Sequence, residues 1–299
     1  MIVSAGYIGS MKAAPASCVV WNHATQKGVA QLEREYMDVQ LLQKSFARMG
    51  ARVKFRDDDS LLRGGIDIRT DHEGEYFDIA VEPNDSVEYE VVDVQPKMRH
   101  LLLMARRENG KQKFLCGHDE RHWFVCAVPR TSVSNVVNAM HALQPVFVKG
   151  AVHRRVKRAK DRLRRKNKAF VRQGEWFFVP VQNPIINPKF VLHNERLSRG
   201  RGKPHMCQFL YRTGGEPVWV CHRYPQGVSD EFRTNLFRTD PEAGRWYWRQ
   251  MMLDPTVFVR GRIWHPDHKT IVLHDWHRVF MNTERFAPAS AAKAVVFLD

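Results

Sequence analysis

A chain of 299 residues with 43% hydrophobic and 26% charged side chains is long enough for two folded domains or one large one, and its composition excludes wholesale disorder. No apolar run reaches the length of a membrane span, and the mildly apolar N-terminus has no basic residue ahead of it, so neither a transmembrane helix nor a secretory signal is expected. The net charge of +15 excludes a predominantly acidic surface: residues 1–150 hold 19 basic and 19 acidic side chains and residues 151–299 hold 28 and 13, so the whole excess lies in the second half.

The spacing of Leu32, Tyr36, Val39 and Phe46 predicts a helix over Val29 to Met49, with Gly50 as its left-handed cap. Five strands are predicted next: Tyr76 to Val81, Val87 to Val94, Arg99 to Arg106, Lys113 to His118 and His122 to Val128. Asn109-Gly110 reads as a hairpin turn. Ser132 to Leu143 reads as a second helix, closed by Pro145.

Residues 151–168 then hold ten basic residues and one acid. Val152, Val156, Ala159, Leu163 and Phe170 fall at steps that make one apolar stripe on a helix, so a basic linking helix is expected over 151–172. Further strands are predicted at Gly174 to Val181, at His205 to Arg212 and Pro217 to Arg223 around Gly214-Gly215, and at Val257 to His265 and Thr270 to Phe280 around Pro266 to Lys269. Ser229 to Leu253 reads as helical with a break near Pro241.

The expected fold class is therefore α+β, two antiparallel β-rich modules with flanking helices joined by a basic helix. The expected division is a neutral α+β domain (1–150), the linking helix (151–172), a basic β-rich domain (173–285) and a tail (286–299).

The positive half implies a polyanionic partner, with nucleic acid, DNA or RNA, first among them. The expected contacts are Arg154, Arg155, Lys157, Arg158, Lys160, Arg162, Arg164, Arg165, Lys166 and Lys168, assisted by Arg199, Arg201 and Lys203 in a glycine-spaced patch. Arginine forks suit bidentate phosphate contacts, and Trp176, Tyr211, Trp219, Tyr224, Trp246 and Trp248 offer stacking surfaces in the same half. The neutral half would contact a protein or carry a second activity, and an adaptor that grips an acidic protein partner is an alternative use of the cations.

Two clusters suggest chemistry. Cys116, His118, His122 and Cys126 share sequence parity about a turn, which would let them hold zinc or another divalent metal on one face of a hairpin. The catalytic version of this site uses His118, Asp119, Glu120 and His122, and a second candidate set is His265, Asp267 and His268. Either set would suit a metal-dependent nuclease or phosphoesterase. His277 lies too far down the returning strand to join the second set. The sequence contains no phosphate-binding loop, nucleophile elbow or paired-histidine protease motif.

Cys18, Cys116, Cys126, Cys207 and Cys221 are odd in number and widely spaced, so a reducing, cytoplasmic setting is expected. The phrases KFLCGHDERHWFVCAVP (113–129), AFVRQGEWFFVP (169–180), LSRGRGKPH (197–205) and RGRIWHPDHKTIVL (260–273) resemble a group of uncharacterised bacterial proteins over roughly residues 45–285. The resemblance implies a bacterial or phage-like intracellular setting. No activity is assigned to the group, so no catalytic residue carries over.

Overall fold

The computed structural model describes residues 39–57, 65–81, 87–108, 110–129, 132–198 and 203–284. Arg199 and Arg201, Cys18 and the expected tail lie outside the described residues, as does the first half of the predicted N-terminal helix. Among the described residues the architecture is α+β, with four sheets and short flanking helices. Among the described residues no helix is long and apolar enough to cross a membrane.

Helix α1 (39–48) ends at Gly50, whose φ of +80° only glycine adopts without strain. A three-stranded sheet follows, built from β1 (Val53–Asp57), β2 (Ile66–Asp71) and β3 (Gly74–Val81) in the order β1-β3-β2, with β1 parallel to β3. Next comes an antiparallel four-stranded sheet of β4 (Glu88–Gln95), β5 (His100–Arg107), β6 (Gly110–Asp119) and β7 (His122–Ala127). The first six residues of β5 are buried, because both of its faces are covered. Leu101, Leu103 and Cys116 pack with Phe46, Phe77 and Ile79 on one face. Leu102, Leu115 and Cys126 pack on the other against α2 (Val136–Ala142), through Val136 and Ala139. Asn135 caps α2 by accepting a hydrogen bond from the Asn138 N–H. Pro145 does not close this helix. It stands at the N-cap of the next one, α3 (Val146–Arg155).

The expected basic helix over 151–172 is corrected here: α3 stops at Arg155, Val156 is extended, and only a 3-10 turn at Ala159–Asp161 follows. Two physical reasons stand out. Ten cations and one acid set like charges at helical neighbour spacing, which weakens a continuous helix. Three of the apolar residues that suggested a helix stripe instead anchor the two ends of a loop: Val152, Val156 and Phe170 join Ala169 and Phe177 in one cluster. Asn167 braces the loop. Its amide donates to the carbonyls of Asp161 and Arg164, and its Oδ1 accepts from the N–H groups of Ala169 and Phe170.

The largest sheet has six antiparallel strands in the order β10-β11-β14-β15-β9-β8. These are β8 (Val171–Gln173), β9 (Trp176–Pro180), β10 (Leu192–Leu197), β11 (His205–Thr213), β14 (Thr256–His265) and β15 (His268–Met281). The expected strand at Gly174 to Val181 begins at Trp176, and Gly174 forms the β8–β9 turn. One face of the sheet buries Trp176, Phe178, Leu210, Val259 and Ile263. The other carries Phe177 against α3.

Between β11 and β14 the chain leaves the sheet. Gly214-Gly215 is not a hairpin turn, since β11 pairs with β14, while β12 (Glu216–Val220) pairs with β13 (Arg249–Leu253). Of the predicted helix at Ser229 to Leu253, only α4 (Asp230–Thr239) and a 3-10 turn at Pro241–Arg245 are helical. The described residues from Leu42 onward form one compact unit.

Candidate functional site

Register determines which of the candidate residues meet. The β6–β7 hairpin turns through Glu120 and Arg121, so Cys116 lies opposite Val125 and Leu115 lies opposite Cys126. The two cysteines therefore occupy opposite faces of the sheet, in separate core clusters. His118 sits on the Cys116 face, with its ring 4.9 Å from that of Trp123, whereas His122 pairs with Asp119 in register and bonds through Nδ1 to Glu75 Oε1 at 2.6 Å. The expected four-residue metal set of Cys116, His118, His122 and Cys126 does not converge. A two-residue turn flips the parity that a longer turn would have kept. Burial pushes the Cys116 thiol far up.

The second set does converge, and it gains members. His265 ends β14 and His268 begins β15, directly opposite it. Met206 pairs with Trp264, so His205 at the start of β11 lies beside His265. Three histidines from three neighbouring strands thus meet at one end of the six-stranded sheet. Their rings are near-parallel, with centroids 4.3 Å apart for His205–His265, 4.8 Å for His265–His268 and 5.4 Å for His205–His268. One nitrogen from each lies within 4.8 Å of the others, and among the described residues no other set has this ligand geometry. His205 is only 1% exposed.

Asp119 and Glu120 arrive from the other sheet. Glu120, with a φ of +54° at the tip of the β6–β7 turn, accepts the Lys269 N–H through Oε2 at 2.6 Å and ties one hairpin tip to the other. The same oxygen stands 3.8 Å from His268 Nδ1. Arg165, from the basic loop, pairs with Asp119 and with Glu120 Oε1 at 2.7 Å, and Arg172 reaches Asp119 Oδ1 at 3.1 Å. Lys203 Nζ bonds to both oxygens of Asp267 at 3.0 Å. Three carboxylates are thereby matched by three cations.

Burial, then the neighbouring His265 and His268, pull His205 down to about 3. Burial likewise lowers His268, reinforced by His265. Burial opposes ionisation of Asp267, but the Lys203 hydrogen bond and charge, with His265, more than offset it and hold the carboxyl below its ordinary range. His265 is satisfied: its Nδ1 accepts the Asp267 N–H at 3.1 Å, so the proton sits on Nε2, which donates to the Lys203 carbonyl at 3.2 Å. The other two rings are not. Both nitrogens of His205 and Nδ1 of His268 lack a hydrogen-bond partner, and each such orphan costs about 1–3 kcal/mol. Gly174 closes the wall, since a Cβ there would lie 2.8 Å from His268 Nε2.

His205 was not among the sequence candidates. It stands 60 and 63 residues from the other two histidines, and only the β11–β14 pairing brings it to them. Asp119 and Glu120 were expected to act with His118 and His122; Asp119 pairs with Arg165 and Arg172, and Glu120 stands 3.8 Å from His268 Nδ1.

Other cations of the basic loop face solvent. Arg154, Lys157, Arg158, Lys160, Lys166 and Lys168 are exposed, and among the described residues none pairs with a carboxylate. Arg164 pairs with Asp161, and Arg155 donates to the Pro180 carbonyl.

The aromatic residues divide. Trp176 is core, while Tyr224, Trp246 and Trp248 stack on one another at 5.9–6.1 Å in the excursion between β11 and β14, with Arg223 over Trp246 at 4.4 Å. No protein-family model matches the chain, and no curated protein or solved structure matches it. Fold and site together define an α+β protein with a buried three-histidine centre flanked by an exposed cationic loop.

Proposed function

We propose that the protein binds nucleic acid through its phosphate backbone, with the loop 153–168 as the main contact surface. The observation that carries this reading is the set of six exposed cations, Arg154, Lys157, Arg158, Lys160, Lys166 and Lys168, with no acidic partner among the described residues. Cations held apart from carboxylates keep their full charge for an external anion. The loop is pinned at both ends by buried apolar residues and braced by Asn167, so less entropy is lost when it engages a ligand. Lys203, already paired with Asp267, contributes less than the sequence suggested. The half-exposed rings of Tyr224, Trp246 and Trp248, with Arg223, favour a single strand whose bases can stack.

The test is a titration of fluorescent single- and double-stranded DNA and RNA at several salt concentrations. A variant with all six residues changed to Gln serves as comparison. If about six phosphates are contacted, raising salt from about 50 to 200 mM weakens the parent about a thousandfold. The variant should bind weakly and with a much flatter salt slope. Equal binding and equal slope in parent and variant would overturn the reading.

A further inference from the structure

A cluster of purely structural histidines would be expected to satisfy its nitrogens, because buried polar groups are almost always hydrogen-bonded. This one does not. His205, 1% exposed, carries two unpartnered nitrogens, and one ring nitrogen from each of His205, His265 and His268 lies within 4.8 Å of the others. We infer that His205, His265 and His268 bind one divalent transition-metal ion of the zinc class, through one ring nitrogen each.

Imidazole donors select zinc and its neighbours over the oxygen-seeking calcium and magnesium. Zinc–nitrogen bonds of about 2.0–2.1 Å in tetrahedral geometry set ligand nitrogens about 3.4 Å apart. The present spread of up to 4.8 Å therefore closes on binding. His265 ligates through Nε2, exchanging its 3.2 Å bond to the Lys203 carbonyl for the ion. His268 ligates through Nε2, beside the space that the missing side chain of Gly174 leaves open. Its Nδ1–H then points to Glu120 Oε2, now 3.8 Å away, the carboxylate partner that metal-bound imidazoles commonly carry. Three protein ligands leave a fourth position for water or an anion. The ion would also turn a charge-balanced pocket net positive beside Arg165 and Arg172, so the fourth ligand is expected to be an anionic oxygen.

This inference stands independently of nucleic-acid binding, and its test needs no nucleic acid. The full chain is stripped with a chelator and titrated with Zn²⁺ by calorimetry and with Co²⁺ by visible absorption. The expected result is one equivalent of Zn²⁺ and an intense Co²⁺ band of a low-coordinate nitrogen site. His265→Gln and His268→Gln should each weaken binding at least tenfold, while a His118→Gln/His122→Gln double variant binds like the parent. In a companion experiment, Cu²⁺ with ascorbate oxidises metal-bound histidines in the unsubstituted chain, so a variant that fails to fold cannot obscure the answer. Oxidation should map to His205, His265 and His268. A parent without the Co²⁺ band, unchanged affinity in the two single variants, or oxidation mapping to His118 and His122 would each overturn the inference.

Discussion

The cationic loop reaches the surroundings of the histidine centre through Arg165, yet loop and centre place opposite demands on the same side-chain chemistry. In the loop, Arg158 and Lys160 are exposed and meet no carboxylate among the described residues. A few residues later Arg165 turns inward and spends its charge on Asp119 and Glu120. Charge counting treats these as one run of cations. The structure separates them by partner, and the difference teaches that a cation's role follows from what stands opposite it. Outward cations should matter for binding and little for stability. Inward ones should do the reverse.

The largest effect is expected where the inward network is cut. Asp119→Ala leaves Arg165 and Arg172 without their shared carboxylate, and breaking a fully buried pair this way costs about 3–5 kcal/mol. Arg165 is about a third exposed, so solvent screening reduces the expected loss to about 2–3 kcal/mol in urea denaturation. A loss below about 0.5 kcal/mol would erase the distinction between the two regions.

Gly174→Ala comes next. The position has a φ of +56° and its new Cβ would press on His268 Nε2, so overpacking and backbone strain should cost about 1–3 kcal/mol. The same substitution placed at Gly244, where a Cβ meets nothing within 4 Å, should be nearly silent.

Acid sharpens the contrast through the buried imidazoles. His100 is 7% exposed and packs its ring against Phe124, and burial lowers its pKa below the ordinary value near 6.5. Below about pH 6.5 the unfolded chain therefore binds a proton that the folded chain refuses, and stability falls as pH drops, by up to about 1.4 kcal/mol per pH unit for this group. It is fully present above that pH. Urea midpoints at pH 7 and pH 5 check the sign, and His100→Gln should flatten the dependence.

The smallest stability effect is expected outside. Arg158→Gln should shift stability by no more than about 0.5 kcal/mol, while weakening any polyanion the loop binds.

Part of this was legible in the chain. The alternation and turn residues of β3 to β7 and of β14–β15 give those strands to within three residues, because cross-strand burial and hairpin turns are local. The basic helix was misread because Val152, Val156 and Phe170 have helical spacing by coincidence, and what fixes the loop is the side chain of Asn167, which has no periodic signature. The parity argument at Cys116 to Cys126 failed on the length of one turn. His205 was invisible for a different reason: its partners come from non-local pairing between β11 and β14, across the excursion that holds α4. Local pattern shows elements, and long-range register decides which chemistry they share.

The most direct test of the central claim is lysine footprinting: brief acetylation of the protein with and without a saturating oligonucleotide, read residue by residue by mass spectrometry. Lys157, Lys160, Lys166 and Lys168 should be protected in the complex, while Lys97 and Lys189, equally exposed but elsewhere on the surface, should react as before. Unchanged labelling of the four loop lysines in a saturated complex would contradict the assignment of the loop as the contact surface.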